Sequence, residues 1–80
     1  MEYTTIYKVY GCDTGGNRIL YAEFLNLKPA CQCAVANQGK IHYGLPEVEK
    51  HTYQYNEETK TVIADQEVIE PAQIHYMNKI

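Results

Sequence analysis

The segment from Lys28 to Gly39 constrains the fold of this chain more than any other part of the sequence. It reads Lys28-Pro-Ala-Cys-Gln-Cys-Ala-Val-Ala-Asn-Gln-Gly39, and it has no charged side chain from Pro29 to Gln38. Pro29 fits a first helical position, where its missing N–H leaves no extra donor unpaired. Gly39 fits the left-handed position just past a helix end. Since a surface helix normally presents charged residues to water, this segment predicts a helix that something else covers.

Length and composition indicate one folded domain, residues 1–80. The chain is 45% hydrophobic and has eight tyrosines, which argues against disorder. It contains no serine, so serine nucleophiles are excluded. The net charge of −3 gives no support to nucleic-acid binding, which needs a basic footprint. No apolar run approaches the roughly 20 residues of a membrane span, so we expect no membrane partner.

The segments around the helix have the composition of strands. Tyr3–Tyr10 and Arg18–Leu27 are rich in β-branched and aromatic residues, and the glycine-rich Gly11–Asn17 between them predicts a hairpin loop. In the second strand the even positions form an apolar row that should face the helix: Leu20, Ala22 and Phe24.

Further strands are predicted after the helix from alternation and turn residues. They are Lys40–Tyr43, then a hairpin of Lys50–Tyr55 and Thr61–Ala64, a continuation over Gln66–Ile69 beyond a bend at Asp65, and a last strand Gln73–Met77. The predicted fold class is α+β: a small antiparallel sheet made of a β-hairpin, one short α-helix, then three or four further strands, with the helix packed on one face.

The rear of the helix predicts self-association. Ala30, Cys33 and Asn37 lie away from the predicted sheet-facing side and carry no charge. One short helix leaves part of such a sheet uncovered, and the surplus surface is rich in tyrosine. We therefore expect a homo-oligomer with these three residues at its interface. The alternative is that the tyrosines pack across strands on a half-exposed face of a monomer.

A repeated triplet, Ile-His-Tyr, and the single arginine suggest a binding site. The triplet occurs at residues 41–43 and 74–76, and the arginine follows the glycine-rich loop. Arginine suits bidentate contact with phosphate or carboxylate, and histidine with tyrosine adds hydrogen bonding and stacking. Chance recurrence of so short a triplet is the alternative. The candidate ligand-binding residues are Arg18, Lys40, His42, Tyr43, His75 and Tyr76.

The sequence leaves several functions open and predicts no cofactor or metal. Cys31 and Cys33, with His42 and His51, are the best metal candidates, but the two cysteines read better as small apolar residues in a packed helix. Three cysteines and no signal-peptide pattern indicate reduced thiols in the cytoplasm.

The function favoured by the sequence is a small non-enzymatic binding protein that sequesters an anionic, phosphate- or nucleotide-bearing ligand at a subunit interface. Proteins of this type often serve as accessory or inhibitory factors of phages and mobile elements. Residues 47–70 carry seven carboxylates against two lysines, so the alternative is a protein–protein inhibitor that uses this acidic hairpin. A small enzyme using Cys12 or a histidine is the third possibility.

Overall fold

The computed structural model describes residues 2–40 and 45–80, and it confirms the α+β class. Four strands and two helices follow one another in the described part of the chain. They are β1 (Glu2–Cys12), β2 (Arg18–Phe24), α1 (Leu27–Ala36), β3 (Glu47–Asn56), β4 (Thr61–Val68) and α2 (Pro71–Lys79).

The four strands form one antiparallel sheet in the order β2-β1-β3-β4. The two predicted hairpins supply its pairs β1–β2 and β3–β4, and β1 and β3 join them along the middle of the sheet. The central pairing runs from Glu2 opposite Tyr55 to Tyr10 opposite Glu47. β4 and β2 are therefore the two edges. The strand over Gln66–Ile69 is confirmed as part of β4 as far as Val68, and no break occurs at Asp65.

A β-bulge divides the apolar row of β2 between the two faces of the sheet. Val9 pairs with Ala22, but the neighbouring Tyr10 pairs with Leu20, so one residue of β2 is extra. A one-residue shift moves a side chain to the other face. Ala22 and Phe24 accordingly pack against the core, as predicted, whereas Leu20 is half exposed and the prediction is wrong for it.

The prediction of α1 is confirmed. The helix begins at Leu27, two residues before Pro29, and Gly39 has the expected positive φ of 79° three residues past its last residue, Ala36. α1 packs against β1, β2 and β3. The core lies between the helices and the end of the sheet beneath them; its buried members are Val9, Ala30, Cys31, Ala34, Val48, Ile69 and Ile74.

The predicted last strand, Gln73–Met77, is wrong, because this segment lies within the helix α2. Pro71 occupies the start of that helix, where proline is favoured. Ile74 is buried and Met77 is partly buried, a spacing of three that matches a helix and not a strand. So short an apolar pattern fits either element until the packing partner is known. The predicted strand Lys40–Tyr43 has only Lys40 among the described residues, and Lys40 lies in a turn.

Candidate functional site

The two faces of the sheet differ in kind. Both helices lie on one side, because α2 packs on α1 and its Ile74 joins the same core as Val9 and Val48. Cross-strand partners share a face, so the pairs Lys8–Glu49 and Tyr53–Ala64 belong to the opposite side. We call this side the open face; it comprises the even positions of β1 and β4 and the odd positions of β3.

A charged network crosses the open face. The guanidinium of Arg18 stacks over the ring of Tyr10, 3.7 Å from its centroid. Its Nη2 donates to Oε2 of Glu47 at 2.9 Å and to Oε2 of Glu49. The other oxygen of Glu49, Oε1, lies 3.0 Å from Nε2 of His51. An ionised carboxylate only accepts, so with Glu49 charged this contact requires a proton on Nε2 of His51. Arg18, Glu47, Glu49 and His51 thus form one connected network, and the guanidinium of Arg18 rests on the ring of Tyr10.

Burial makes Glu49 the centre of this network. Glu49 is 7% exposed, and it is the one charged residue that is buried in the described part of the chain. A buried carboxylate is tolerated when it is paired and hydrogen-bonded, and Arg18 and His51 meet that need. Partial burial lowers the pKa of Arg18. The hydrogen bonds that Arg18 makes to Glu49 and Glu47, together with the negative charges of these two residues, outweigh that effect and raise the pKa.

A depression of about 500 Å³ lies beside the network, at the β4 side of the open face. The rings of His51 and Tyr53 stack along it with centroids 6.4 Å apart. Interaction with the Tyr53 hydroxyl raises the pKa of Lys8 and outweighs the lowering from burial. The full lining is Lys8, His51, Tyr53, Ala64, Asp65 and Gln66.

Lys8 is paired more loosely than Arg18 on this face. Its Nζ lies 3.9 Å from Oε1 of the half-exposed Glu23, and pairs of that kind contribute little. Arg18, by contrast, is already paired with two carboxylates. An incoming anion can therefore accept from Lys8 without breaking a strong internal contact.

Of the four predicted ligand-binding residues that the structure describes, one lies on this face. Arg18 lies on it, but as part of the network. Lys40 is exposed in the turn after α1, and His75 and Tyr76 are exposed on α2, on the helix side of the sheet. His42 and Tyr43 lie outside the described residues.

The three predicted interface residues have partners within the chain. Ala30 is fully buried in the core. The amide of Asn37 donates to the main-chain oxygen of Cys33 at 2.8 Å, and the Tyr21 hydroxyl lies 3.4 Å from the Asn37 side-chain oxygen. α2 is the element that covers the uncharged helix, and Lys28 Nζ joins the two helices by donating to the main-chain oxygen of Ile80 at 2.6 Å. The lack of charge on α1 therefore does not by itself require a second copy, and the homo-oligomer interface at these residues stays a prediction.

The cysteines of α1 behave as apolar core residues. Burial raises the pKa of Cys31 and of Cys33, and for Cys33 the hydrogen bond from Asn37 opposes the rise in part. No three histidine, cysteine or acidic side chains of residues 2–40 and 45–80 are grouped as metal ligands. In the same residues the partner of His51 is Glu49, and no histidine is hydrogen-bonded to Cys12.

Sequence reasoning did not place Lys8, Glu49 or Tyr53 among its candidate site residues, and it considered His51 as a metal ligand. Strand alternation does place Lys8 on one side of β1, and His51 with Tyr53 on one side of β3. Their meeting depends on the β1–β3 register, which joins segments about 40 residues apart. No local pattern specifies such a register.

Comparison with known proteins gives no relative for this chain: no family model, no curated protein and no solved structure matches it. Its described helices are also too short, or too polar, to cross a lipid bilayer. The open face is therefore interpreted from its own chemistry.

Proposed function

We propose that this protein is a non-enzymatic binding protein that takes a small anionic ligand in the depression on its open face. The observation that carries the proposal is the position of Lys8 beside the Tyr53 hydroxyl and the His51 ring. A phosphate or carboxylate placed there accepts charge-assisted hydrogen bonds from the ammonium and the hydroxyl. A base or other ring attached to it can stack on the aromatic pair.

Arg18 has a positioning role in this proposal. It holds Glu49, and Glu49 holds His51 at the wall of the depression. The three free cysteines, Cys12, Cys31 and Cys33, fit the reducing cytoplasm as its compartment. An accessory or inhibitory role through sequestration follows from binding without turnover.

The test is a titration with inorganic phosphate and with a nucleoside monophosphate, followed by two-dimensional NMR or calorimetry. Lys8→Met should weaken binding by about 10- to 100-fold, because one charge-assisted hydrogen bond contributes about 1.5–3 kcal/mol. The matched control is Lys50→Met. Lys50 pairs with Tyr7 and lies on the helix side of the sheet, so this variant makes the same change in net charge and should bind normally.

Two results would contradict the proposal. Equal weakening in both lysine variants means that net charge, and not the depression, governs binding. Absence of saturable binding by the unmodified protein means that the open face is not an anion site.

A second candidate, the acidic inhibitor, has one observation in its favour. Six carboxylates of residues 47–70 are exposed: Glu47, Glu57, Glu58, Asp65, Glu67 and Glu70. A lysine-rich peptide should then bind at low salt and lose affinity steeply as salt screens the charges. Glu57→Gln with Glu58→Gln should weaken that binding and leave phosphate binding unchanged.

A further inference from the structure

The strand β4 is an exposed edge of the sheet at which a further strand can pair. All eight of its residues are exposed, and its one neighbour in the sheet is β3. Val62 and Ile63, which point to opposite faces, both remain more than half exposed. Folded proteins normally protect such an edge with a bulge, a proline, charged side chains or a covering element. Among residues 2–40 and 45–80, β4 has no bulge, proline or covering element, and its two charged residues, Asp65 and Glu67, both lie in the second half of the strand.

The other edge, β2, is protected. Its pairing with β1 contains the bulge opposite Val9 and Tyr10, which bends a strand away from a flat partner. α1 packs against it, and Tyr21 is tied to Asn37 of the α1 cap. The sheet therefore offers one open edge and not two.

We propose that a second copy of this chain pairs with β4, strand against antiparallel strand about a two-fold axis, to give a continuous eight-stranded sheet. The occupant follows from the asymmetry of the two edges. Pairing of β4 with β2 of another copy would be a head-to-tail contact that builds an open-ended filament. The bulge next to β2 also disfavours this pairing. Pairing of β4 with itself uses the same surface on both chains and closes after two copies.

The charges of β4 restrict where the axis falls. An axis at Asp65 places two aspartates directly opposite each other, and an axis at Gln66 places Asp65 opposite Glu67. Like charges in opposed positions destabilise a strand pair. An axis at Val62 or Ile63 leaves no carboxylate of β4 opposite another, and it brings the apolar side chains of Val62 and Ile63 from both copies together. The apolar half of the strand is thus the pairing segment.

This dimer would also alter the depression on the open face. Ala64 and Gln66 line its outer wall, which is the edge that the second copy would extend. The pairing itself does not depend on the proposed function, since it rests on the edge alone.

The test is mass in solution by light scattering or analytical ultracentrifugation from about 5 to about 500 µM chain. The mass should rise from 9.2 kDa towards twice that value. Ile63→Lys should hold the protein at the monomer mass over the whole range, because it places two ammonium groups beside the axis. Higher salt should favour the dimer, because both copies carry a net charge of −3.

Val68→Lys is the matched control. Val68 is 58% exposed and Ile63 is 56% exposed, so both variants add the same charge at equally exposed positions of one strand, and far-UV circular dichroism checks that both fold. Val68 lies at the far end of β4, beyond the pairing segment, and this variant should still dimerise. A monomer at every concentration, a dimer that persists in Ile63→Lys, or equal loss in both variants would overturn the proposal.

Discussion

Among the described ion pairs, we expect the one between Arg18 and Glu49 to contribute most to the free energy of unfolding. The size of this contribution follows from the burial of the two side chains. A hydrogen bond to a charged group contributes about 1.5–3 kcal/mol, and loss of one partner of a fully buried pair costs about 3–5 kcal/mol. Glu49 is almost fully buried, but the Arg18 side chain is 45% exposed, so water screens the pair. Glu49 also keeps His51. We therefore expect Arg18→Met to lower the free energy of unfolding by about 2 kcal/mol.

A double-mutant cycle separates this pair from the stacking of Arg18 on Tyr10. Combining Arg18→Met with Glu49→Gln should give a coupling of about 1.5 kcal/mol. The same cycle with Glu47→Gln should give about 0.5 kcal/mol, because Glu47 is 52% exposed although it bonds to the same nitrogen. Glu47 is thus the matched control.

Urea unfolding followed by far-UV circular dichroism measures these differences at a chain concentration low enough to keep the protein monomeric. A domain of this size has about 4–12 kcal/mol of stability in total, so a loss of about 2 kcal/mol is readily resolved. Equal couplings in the two cycles, or a larger one for Glu47, would refute the reasoning that burial sets the strength of the pair.

Two further predictions concern α2 and the loop between β1 and β2. Ile74→Ala should cost about 2–4 kcal/mol, because Ile74 is buried beneath α2, whereas the exposed Tyr76→Ala should change stability by less than about 0.5 kcal/mol; similar values in urea unfolding would mean that α2 is not docked. Hydrogen bonds from Asn17 and Gly15 lower the pKa of Asp13, so its contribution is present above the ordinary aspartate pKa of about 3.9 and is lost as pH falls through the lower folded value. The stability difference between Asp13→Asn and the unmodified protein should therefore shrink in acid, and a pH-independent difference in thermal unfolding would contradict this.

Much of the fold could be predicted because its signals are local. Both hairpins have turn-forming residues between β-rich segments, and the loop of the first one depends on Asp13, whose carboxylate accepts from the backbone of Gly15 and Asn17. The helix α1 has a proline in its first turn and a glycine after its end. Such elements form from residues that are neighbours in the chain, so reading them does not require the tertiary structure.

The failures occurred where an element's identity depends on its packing. The segment that contains Ile74 and Met77 has too few apolar residues to distinguish a helical from a strand periodicity. It is helical because its packing against α1 buries one helical face. The covering of α1 was attributed to a second copy because the second helix was not recognised. The unrecognised helix thus removed the reason for which the interface was predicted, and the interface itself stays a prediction.

The sequence by itself determined that this chain is a small α+β domain with an uncharged, covered helix, since these properties follow from residue type and short-range spacing. The tertiary structure alone decided which residues form the candidate site. Arg18, Glu49, His51 and Lys8 come from three strands, and only the register of β1 with β2 and β3 places them on one face. The β1–β3 register is selected by the burial of Val9 and Val48 together beneath the helices, because a shift of β3 by one residue would turn Val48 to the open face while Val9 stayed in the core.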